Sequence, residues 1–131
     1  MRVGKQLAVF LENKPGALAR LCEALAEKKI NLLAVTVSDT VDHAVVRMVV
    51  DRPTEALHAL GEAGMLVVES DVLLIEVPNK PGGLAELAKR LSESDVNIEY
   101  AYCTSAEKQT SAMLVLRTHD AERAREVLGN G

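Results

Sequence analysis

Hydrophobic and polar side chains change their spacing in a regular order along the first half of the chain. Residues 5–12 alternate apolar and polar positions, which is typical of a strand with one buried face. Apolar side chains then recur at helical spacing and predict one buried helical stripe, formed by Leu18, Leu21, Cys22 and Leu25. Two β-rich runs follow, 30–38 and 43–50, and the polar turn between them predicts a hairpin.

The same pattern then adds a helix and a strand. Pro53 suits the first turn of a helix, where a missing N–H costs nothing, and Gly61 and Gly64 mark its end. Residues 65–69 are again apolar and predict a fourth strand. The resulting order, βαββαβ, is that of the ferredoxin-like fold, an α+β architecture with an antiparallel sheet and helices on one face.

A second copy of this pattern follows directly. The segment NKPGALARL at 13–21 returns as NKPGGLAEL at 79–87, a shift of 66 residues. The elements predicted for the second copy are 71–77, 82–94, 96–104, 110–118 and 120–128. No residues remain for its last strand, so an open sheet edge is expected. We predict two units, 1–70 and 71–131, joined so tightly at Ser70-Asp71 that they pack as one rigid body.

The duplicated unit resembles the ACT domain, a small regulatory module attached to enzymes of amino-acid metabolism. The resemblance rests on Asn-x-Pro-Gly-x-Leu between strand and helix and on an Asn flanked by apolar residues before the second strand, in both copies. It implies a free-standing tandem ACT protein that binds an amino acid where two modules meet. Carried over by position, it implies that these residues line the ligand: Asn13, Lys14, Pro15, Gly16, Ala17, Leu18, Asn31, Leu32, Asn79, Lys80, Pro81, Gly82, Gly83, Leu84, Asn97 and Ile98.

Elementary chemistry supports a carboxylate-binding site at these loops. A helix N-terminus presents unpaired N–H groups and partial positive charge. Gly16 and Gly82 allow a close approach of the backbone, and an Asn amide offers both a donor and an acceptor. The alternative is purely structural: Pro-Gly after a strand is ordinary loop chemistry, and Asn often stabilises such turns through backbone bonds. On that reading the duplicated loops reflect a duplicated fold.

Two other features remain open on sequence alone. Tyr100 and Tyr102 are expected on one sheet face with Ile98, either as core filling or with hydroxyls that meet a ligand. The sheet face away from the helices is expected to be apolar in the first copy and to pack on another sheet or subunit. That face is predicted to carry Ala8, Phe10, Leu33, Val35 and Val37.

Composition and charge exclude several classes of function. A formal net charge of −4 and a pI near 5.4 argue against nucleic-acid binding, which needs a basic patch. No apolar run reaches a membrane-spanning length, and no signal peptide is predicted. Cys22 and Cys103 fit a reduced, cytoplasmic setting better than a disulfide. Because the three histidines are scattered and no catalytic motif occurs, we expect no enzyme activity, metal or cofactor.

These observations lead to one functional hypothesis and one rival. The hypothesis is a non-catalytic regulatory protein, expected to form a homodimer, that binds a free amino acid between ACT-like units and couples binding to association. The rival is a regulatory or assembly subunit of an amino-acid-metabolism enzyme that needs no ligand. A stable enzyme partner together with a silent ligand screen would favour the rival.

Overall fold

The computed structural model describes residues 1–129, which form six strands and four helices. In chain order they are β1 Arg2–Glu12, α1 Ala17–Glu27, β2 Leu32–Asp39, β3 His43–Val50, α2 Pro53–Glu62, β4 Leu66–Pro78, α3 Gly83–Glu93, β5 Ile98–Thr104, β6 Ser111–Thr118 and α4 Ala121–Gly129. The predicted order is confirmed, as βαββαβ in the first copy and βαββα in the second. The two strands predicted at 65–69 and 71–77 are one continuous strand, β4, of 13 residues. Neither residue requires a turn conformation, so the extended backbone continues.

The first compact unit comprises Lys5–Ser70. In its sheet, β3 lies between β1 and β2 and pairs with each in antiparallel fashion. On its other side β1 neighbours the first part of β4. Helices α1 and α2 pack on one face, and the aliphatic core between helices and sheet contains Leu7, Val9, Leu21, Leu25, Val46, Met48 and Leu60. These positions follow the strand and helix periods that the sequence displays.

The second compact unit comprises the chain from Asp71 onward together with Met1–Gly4. Here β6 lies between β4 and β5, again antiparallel to both. Helices α3 and α4 supply the helical half of a second aliphatic core, which contains Leu73, Ile75, Leu87, Leu91, Leu114, Leu116 and Leu128. Helix α4 ends at Gly129, the last residue that the structure describes.

The open edge expected beside β4 is in part covered by the first residues of the chain. Val3 packs against the second core, and Gly4 lies so close to Leu74 that an added Cβ would meet Leu74 Cδ1 at 2.8 Å. Thus the beginning of β1 occupies the place that the fourth strand takes in the first unit. The sequence repeat did not reveal this arrangement, because residues 1–4 precede the region in which the two copies align.

A bulge at the same place in both copies changes which side chains share a face. The pairing of β2 with β3 shifts between Leu32 and Ala34, and that of β5 with β6 shifts between Ile98 and Tyr100. Each bulge residue, Leu33 or Glu99, adds one position and reverses the alternation beyond it. A strict period of two therefore assigned the wrong face to every later residue of these two strands.

As a result, four side chains lie on the opposite sheet face from the one predicted: Val35, Val37, Tyr100 and Tyr102. Val35 pairs with Met48 and Val37 with Val46, so both valines lie on the helix side of the sheet edge, where they are 47% and 48% exposed. In the second unit, Ile98 packs on the core, whereas Tyr100 and Tyr102 lie on the opposite face. The predicted apolar face of the first unit keeps Ala8 and Phe10 but not the two valines. It also includes Leu66 and Val68, which alternate with the core-facing Val67.

None of the described helices is long and apolar enough to cross a membrane.

Candidate functional site

The strand-to-helix loop of each copy owes its glycine to backbone conformation. Gly16 has φ of 88° and Gly82 has φ of 86°, and each immediately precedes the first residue of a helix. Residues with a Cβ are strained in this left-handed region of φ, whereas glycine is not. A Cβ at either position would meet no atom within 4 Å, so the glycines are needed for φ and not for space. The repeated glycine is therefore explained by the fold itself.

The asparagine that opens each loop ties it to the neighbouring hairpin. Asn13 Nδ2 donates to the Thr40 carbonyl at 3.2 Å, across the turn between β2 and β3. Asn79 Nδ2 donates to the carbonyls of Ala106 and Gln109 at 3.1 and 2.9 Å in the equivalent turn. The amide nitrogen of Asn13 thus donates to one protein carbonyl and that of Asn79 to two.

The other predicted asparagines lie at the opposite end of each sheet. In the first unit, the register pairs Glu12 with His43 at the loop end and Leu32 with Val50 at the far end. The backbone N–H of Asn31 donates there to Asp51 Oδ1 at 3.0 Å. One helix, about 16 Å long, therefore separates the two predicted stretches of a single unit.

The second unit has the same separation. Pro78 pairs with Ser111 at its loop end, and Ile98 pairs with Thr118 at the far end. Asn97 is exposed at that far end. Neither unit by itself brings its loop together with its asparagine before the second strand.

A cleft of about 460 Å³ opens beside the loop of the first unit. It lies where β1 ends, α1 begins and the chain enters β4. Four predicted ligand residues line it: Lys14, Pro15, Gly16 and Ala17. The remaining lining residues are Phe10, Leu11, Glu12, Arg20, Gly64, Met65 and Leu66. Asn13 and Leu18 do not line this cleft, and Leu18 is 43% exposed instead of belonging to the buried stripe of α1.

The second unit has a smaller cleft at the equivalent place, of about 330 Å³. Of the predicted residues only Gly83 lines it, and Asn79, Lys80, Pro81, Gly82 and Leu84 lie outside. Its other lining residues are Met1, Ile75, Glu76, Val77, Pro78, Glu86, Leu87, Arg90 and Leu128. Met1 stands on the side where the first unit has residues 64–66, consistent with the role of the chain start in this unit.

Each cleft contains an arginine that sequence reasoning missed. Arg20 of α1 donates through Nη2 to the carbonyl of Ala63, at the end of α2. Arg90 of α3 donates through Nη2 to the carbonyls of Val127 and Leu128, near the end of α4, at 3.1 and 2.8 Å. Each guanidinium thus satisfies carbonyls that a helix end leaves unpaired and opposes the negative end of the helix dipole. The two arginines are not equivalent in the repeat, so aligning the copies conceals their common role.

The loop of the first unit also contains an ion pair. Lys14 Nζ lies 3.0 Å from Glu12 Oε2. The hydrogen bond from Lys14, and then its charge, lower the pKa of the Glu12 carboxyl. Proline occupies the position of Glu12 in the second copy, so that loop has no equivalent pair.

We expect a small pH effect confined to this loop. Because the pKa of Glu12 is lower in the folded state, the contribution of the pair is present near neutral pH and is lost as pH falls through that lowered pKa. Lys14→Met is expected to raise the pKa of Glu12 toward its usual value, as measured by carboxyl-detected NMR titration. Lys80→Met, the matched change in the other loop, is expected to leave it unchanged. An unaltered Glu12 pKa in Lys14→Met contradicts the assigned cause.

The remaining reactive side chains form no recognisable centre. Among residues 1–129, no three His, Cys, Asp or Glu side chains group in a way that could hold a metal ion. Cys22 and Cys103 are both free thiols, and Cys22 packs half-buried against the first core. The core role expected for Cys22 agrees with that position.

Comparison with solved structures identifies close and distant relatives of this arrangement. A protein of Bacteroides thetaiotaomicron is 38% identical, with a TM-score of 0.92, over 98% of this chain and 88% of its own. The ligand-free regulatory subunit of aspartate kinase from Thermus thermophilus is 19% identical, with a TM-score of 0.72, over 99% of this chain and 97% of its own. Aspartate kinase from Synechocystis is 18% identical, with a TM-score of 0.66, over 98% of this chain and 25% of its own. At such identities the last two share the fold alone.

The sequence comparisons give the family. No curated protein matches the chain. The family described as the ACT domain pair matches residues 1–130, which is nearly the whole sequence and both copies of the repeat. This match confirms the resemblance seen in the duplicated loops. The chain belongs to the ACT domain pair family.

Proposed function

We propose that this chain is a non-catalytic regulatory protein that binds a free amino acid. The observation that carries the proposal is the cleft beside the loop of the first unit, where polar loop groups and an apolar wall meet. Its volume of about 460 Å³ lies within the range of small-molecule sites. A regulatory subunit of aspartate kinase with the same fold supports the regulatory role.

The proposed contacts follow the predicted residues. In the first unit Lys14 to Ala17 border the cleft, and Asn13 orients the loop. Leu18, Asn31 and Leu32 are proposed to take part where another ACT module approaches. The residues predicted at the corresponding positions of the second unit are Asn79, Lys80, Pro81, Gly82, Gly83, Leu84, Asn97 and Ile98. The two units, 1–70 and 71–131, are proposed as the functional modules.

A ligand screen tests this proposal. We expect at least one of the twenty common L-amino acids, at millimolar concentration, to raise the melting temperature in a thermal-shift assay. Ligand at 100 times its dissociation constant adds about 2.7 kcal/mol to stability, a shift that is easily measured. The corresponding amino-acid amides, which lack the carboxylate, serve as controls. No shift with any amino acid contradicts the proposal.

A second candidate function is a ligand-independent regulatory or assembly subunit of an amino-acid-metabolism enzyme, and a homodimer is expected under either function. Apolar side chains on the surface of the first unit favour it: Val35 and Val37 on the edge strand, and Phe10, Leu66 and Val68 on the face away from the helices. Light scattering after size exclusion tests dimer formation. Co-purification of a tagged chain with a stable enzyme, together with a silent amino-acid screen, favours this function over the first.

A further inference from the structure

The two clefts occupy equivalent places but differ in charge. Arg20 lines the first cleft, and the residue 66 positions later, Glu86, lines the second. Phe10 lines the first, and its counterpart Glu76 lines the second. The first cleft thus has two basic residues and one acidic residue, whereas the second has two acidic residues and one basic residue, Arg90.

The helices that begin at these clefts strengthen the difference. An α-helix carries partial positive charge at its N-terminus. The first turn of α3 contains Glu86, which opposes that charge, whereas the first turn of α1 contains no acidic residue. An anionic group is therefore attracted by the positive side chains of the first cleft, Lys14 and Arg20, and repelled by the negative side chains of the second, Glu76 and Glu86.

The wall of the first cleft restricts the rest of the ligand. Five of its lining side chains are apolar and large enough to contact an aliphatic group: Phe10, Leu11, Pro15, Met65 and Leu66. We propose that the two clefts are not equivalent sites, and that only the first binds a free amino acid, one with an apolar side chain whose carboxylate contacts Arg20. This inference rests on the proposed function and assigns it to one unit, one anchoring residue and one class of side chain.

Arg20 can serve both the fold and a ligand. A guanidinium carries five N–H donors in a planar fork, and the bond to the Ala63 carbonyl comes from Nη2. The fork can therefore also donate to a carboxylate, the anion whose geometry it matches best. At the same position of the second cleft, Glu86 has no donor in its ionised state and opposes a carboxylate by charge.

Stoichiometry gives the first test. The probes are L-leucine, L-methionine and L-phenylalanine, with L-lysine and L-aspartate as polar comparisons and 3-methylbutylamine as leucine without its carboxylate. Isothermal titration of the full chain is expected to give one site per chain for the tightest apolar probe. Weaker binding is expected for L-lysine and L-aspartate, and none for 3-methylbutylamine. Two equal sites per chain, or stronger binding of the polar probes, overturn the inference.

A matched pair of variants gives the second test. Arg20→Gln and Arg90→Gln each remove a guanidinium that bonds a helix end, so both control for loss of that structural role. Arg20→Gln is expected to weaken the tightest probe about ten- to a hundredfold, the range for a lost charge-assisted bond. Arg90→Gln is expected to bind it as the parent does. Melting temperatures without ligand verify that both variants fold.

The outcomes separate this inference from the proposed function. If no amino acid binds the parent chain, the proposed function fails and the inference fails with it. If the parent binds and Arg20→Gln binds equally well, or if Arg90→Gln loses as much affinity, only the inference fails. Should Arg20→Gln not fold, the stoichiometry and Glu86→Arg still decide. Glu86→Arg is expected to add a second site, and an unchanged stoichiometry counts against the charge argument.

Discussion

Leu21→Ala is expected to lower the free energy of unfolding by about 2–5 kcal/mol. Leu21 is fully buried in the first core, where its removal leaves a cavity between α1 and the sheet. Leu18→Ala, three residues earlier on the same helix, is the matched control, because Leu18 is 43% exposed. That change is expected to cost less than about 1 kcal/mol. Urea unfolding monitored by circular dichroism measures both values.

This comparison also tests the position of the helical stripe. Sequence spacing alone placed both leucines in the core, whereas the structure buries only the later one. Equal losses in the two variants contradict the observed orientation of α1. A loss that is large for Leu18→Ala and small for Leu21→Ala reverses it.

Gly83→Ala is expected to destabilise the second unit by about 1–3 kcal/mol, the range for overpacking. A Cβ on Gly83 would lie 2.4 Å from the Pro78 carbonyl oxygen, and a backbone atom next to a proline ring cannot move away cheaply. Gly61→Ala in α2 is the control, because its added Cβ meets no atom within 4 Å. Since alanine favours helix over glycine, Gly61→Ala is expected to stabilise by about 0.5–1 kcal/mol.

If the contact between Gly83 and Pro78 is real, thermal and urea unfolding will show a lower stability for Gly83→Ala and a higher stability for Gly61→Ala. Gly83→Ala with parental stability indicates that α3 can shift away from Pro78 without loss. The first unit has alanine at the equivalent position, Ala17, so such a shift would make the two loops alike.

Much of the fold could be predicted because every element of the first copy except its last strand is indicated a second time by the same sequence pattern in the second copy. Alternation in residues 5–12, helical spacing at Leu21 and Leu25, and the polar turn before His43 each return in the second copy. Glycine at positions 16 and 82 marked the helix starts, and its left-handed backbone explains why. Local periodicity and turn chemistry are properties of short segments, and therefore they are visible in sequence.

What could not be predicted depends on contacts between distant segments. A bulge at Leu33 or Glu99 leaves no distinctive residue, yet it reverses every later side chain on its strand. The arginines of the clefts bond carbonyls 43 and 38 residues away in the sequence, and only folding brings them together. The loop glycines and Lys14 were predicted as site residues. Arg20 was not, because its position beside the cleft is apparent only in the folded chain.

The membership of residues 1–4 in the second unit has a consequence for synthesis on the ribosome. Chains grow from the N-terminus, and domains tend to fold as units when their residues have emerged. The first unit needs only Lys5–Ser70 and can close while the rest is still being made. The second unit needs Met1–Gly4 as well as α4, so its closure joins segments that are synthesised before and after the whole first unit. Val3 can therefore pack against the complete second core only after α4 has left the ribosome.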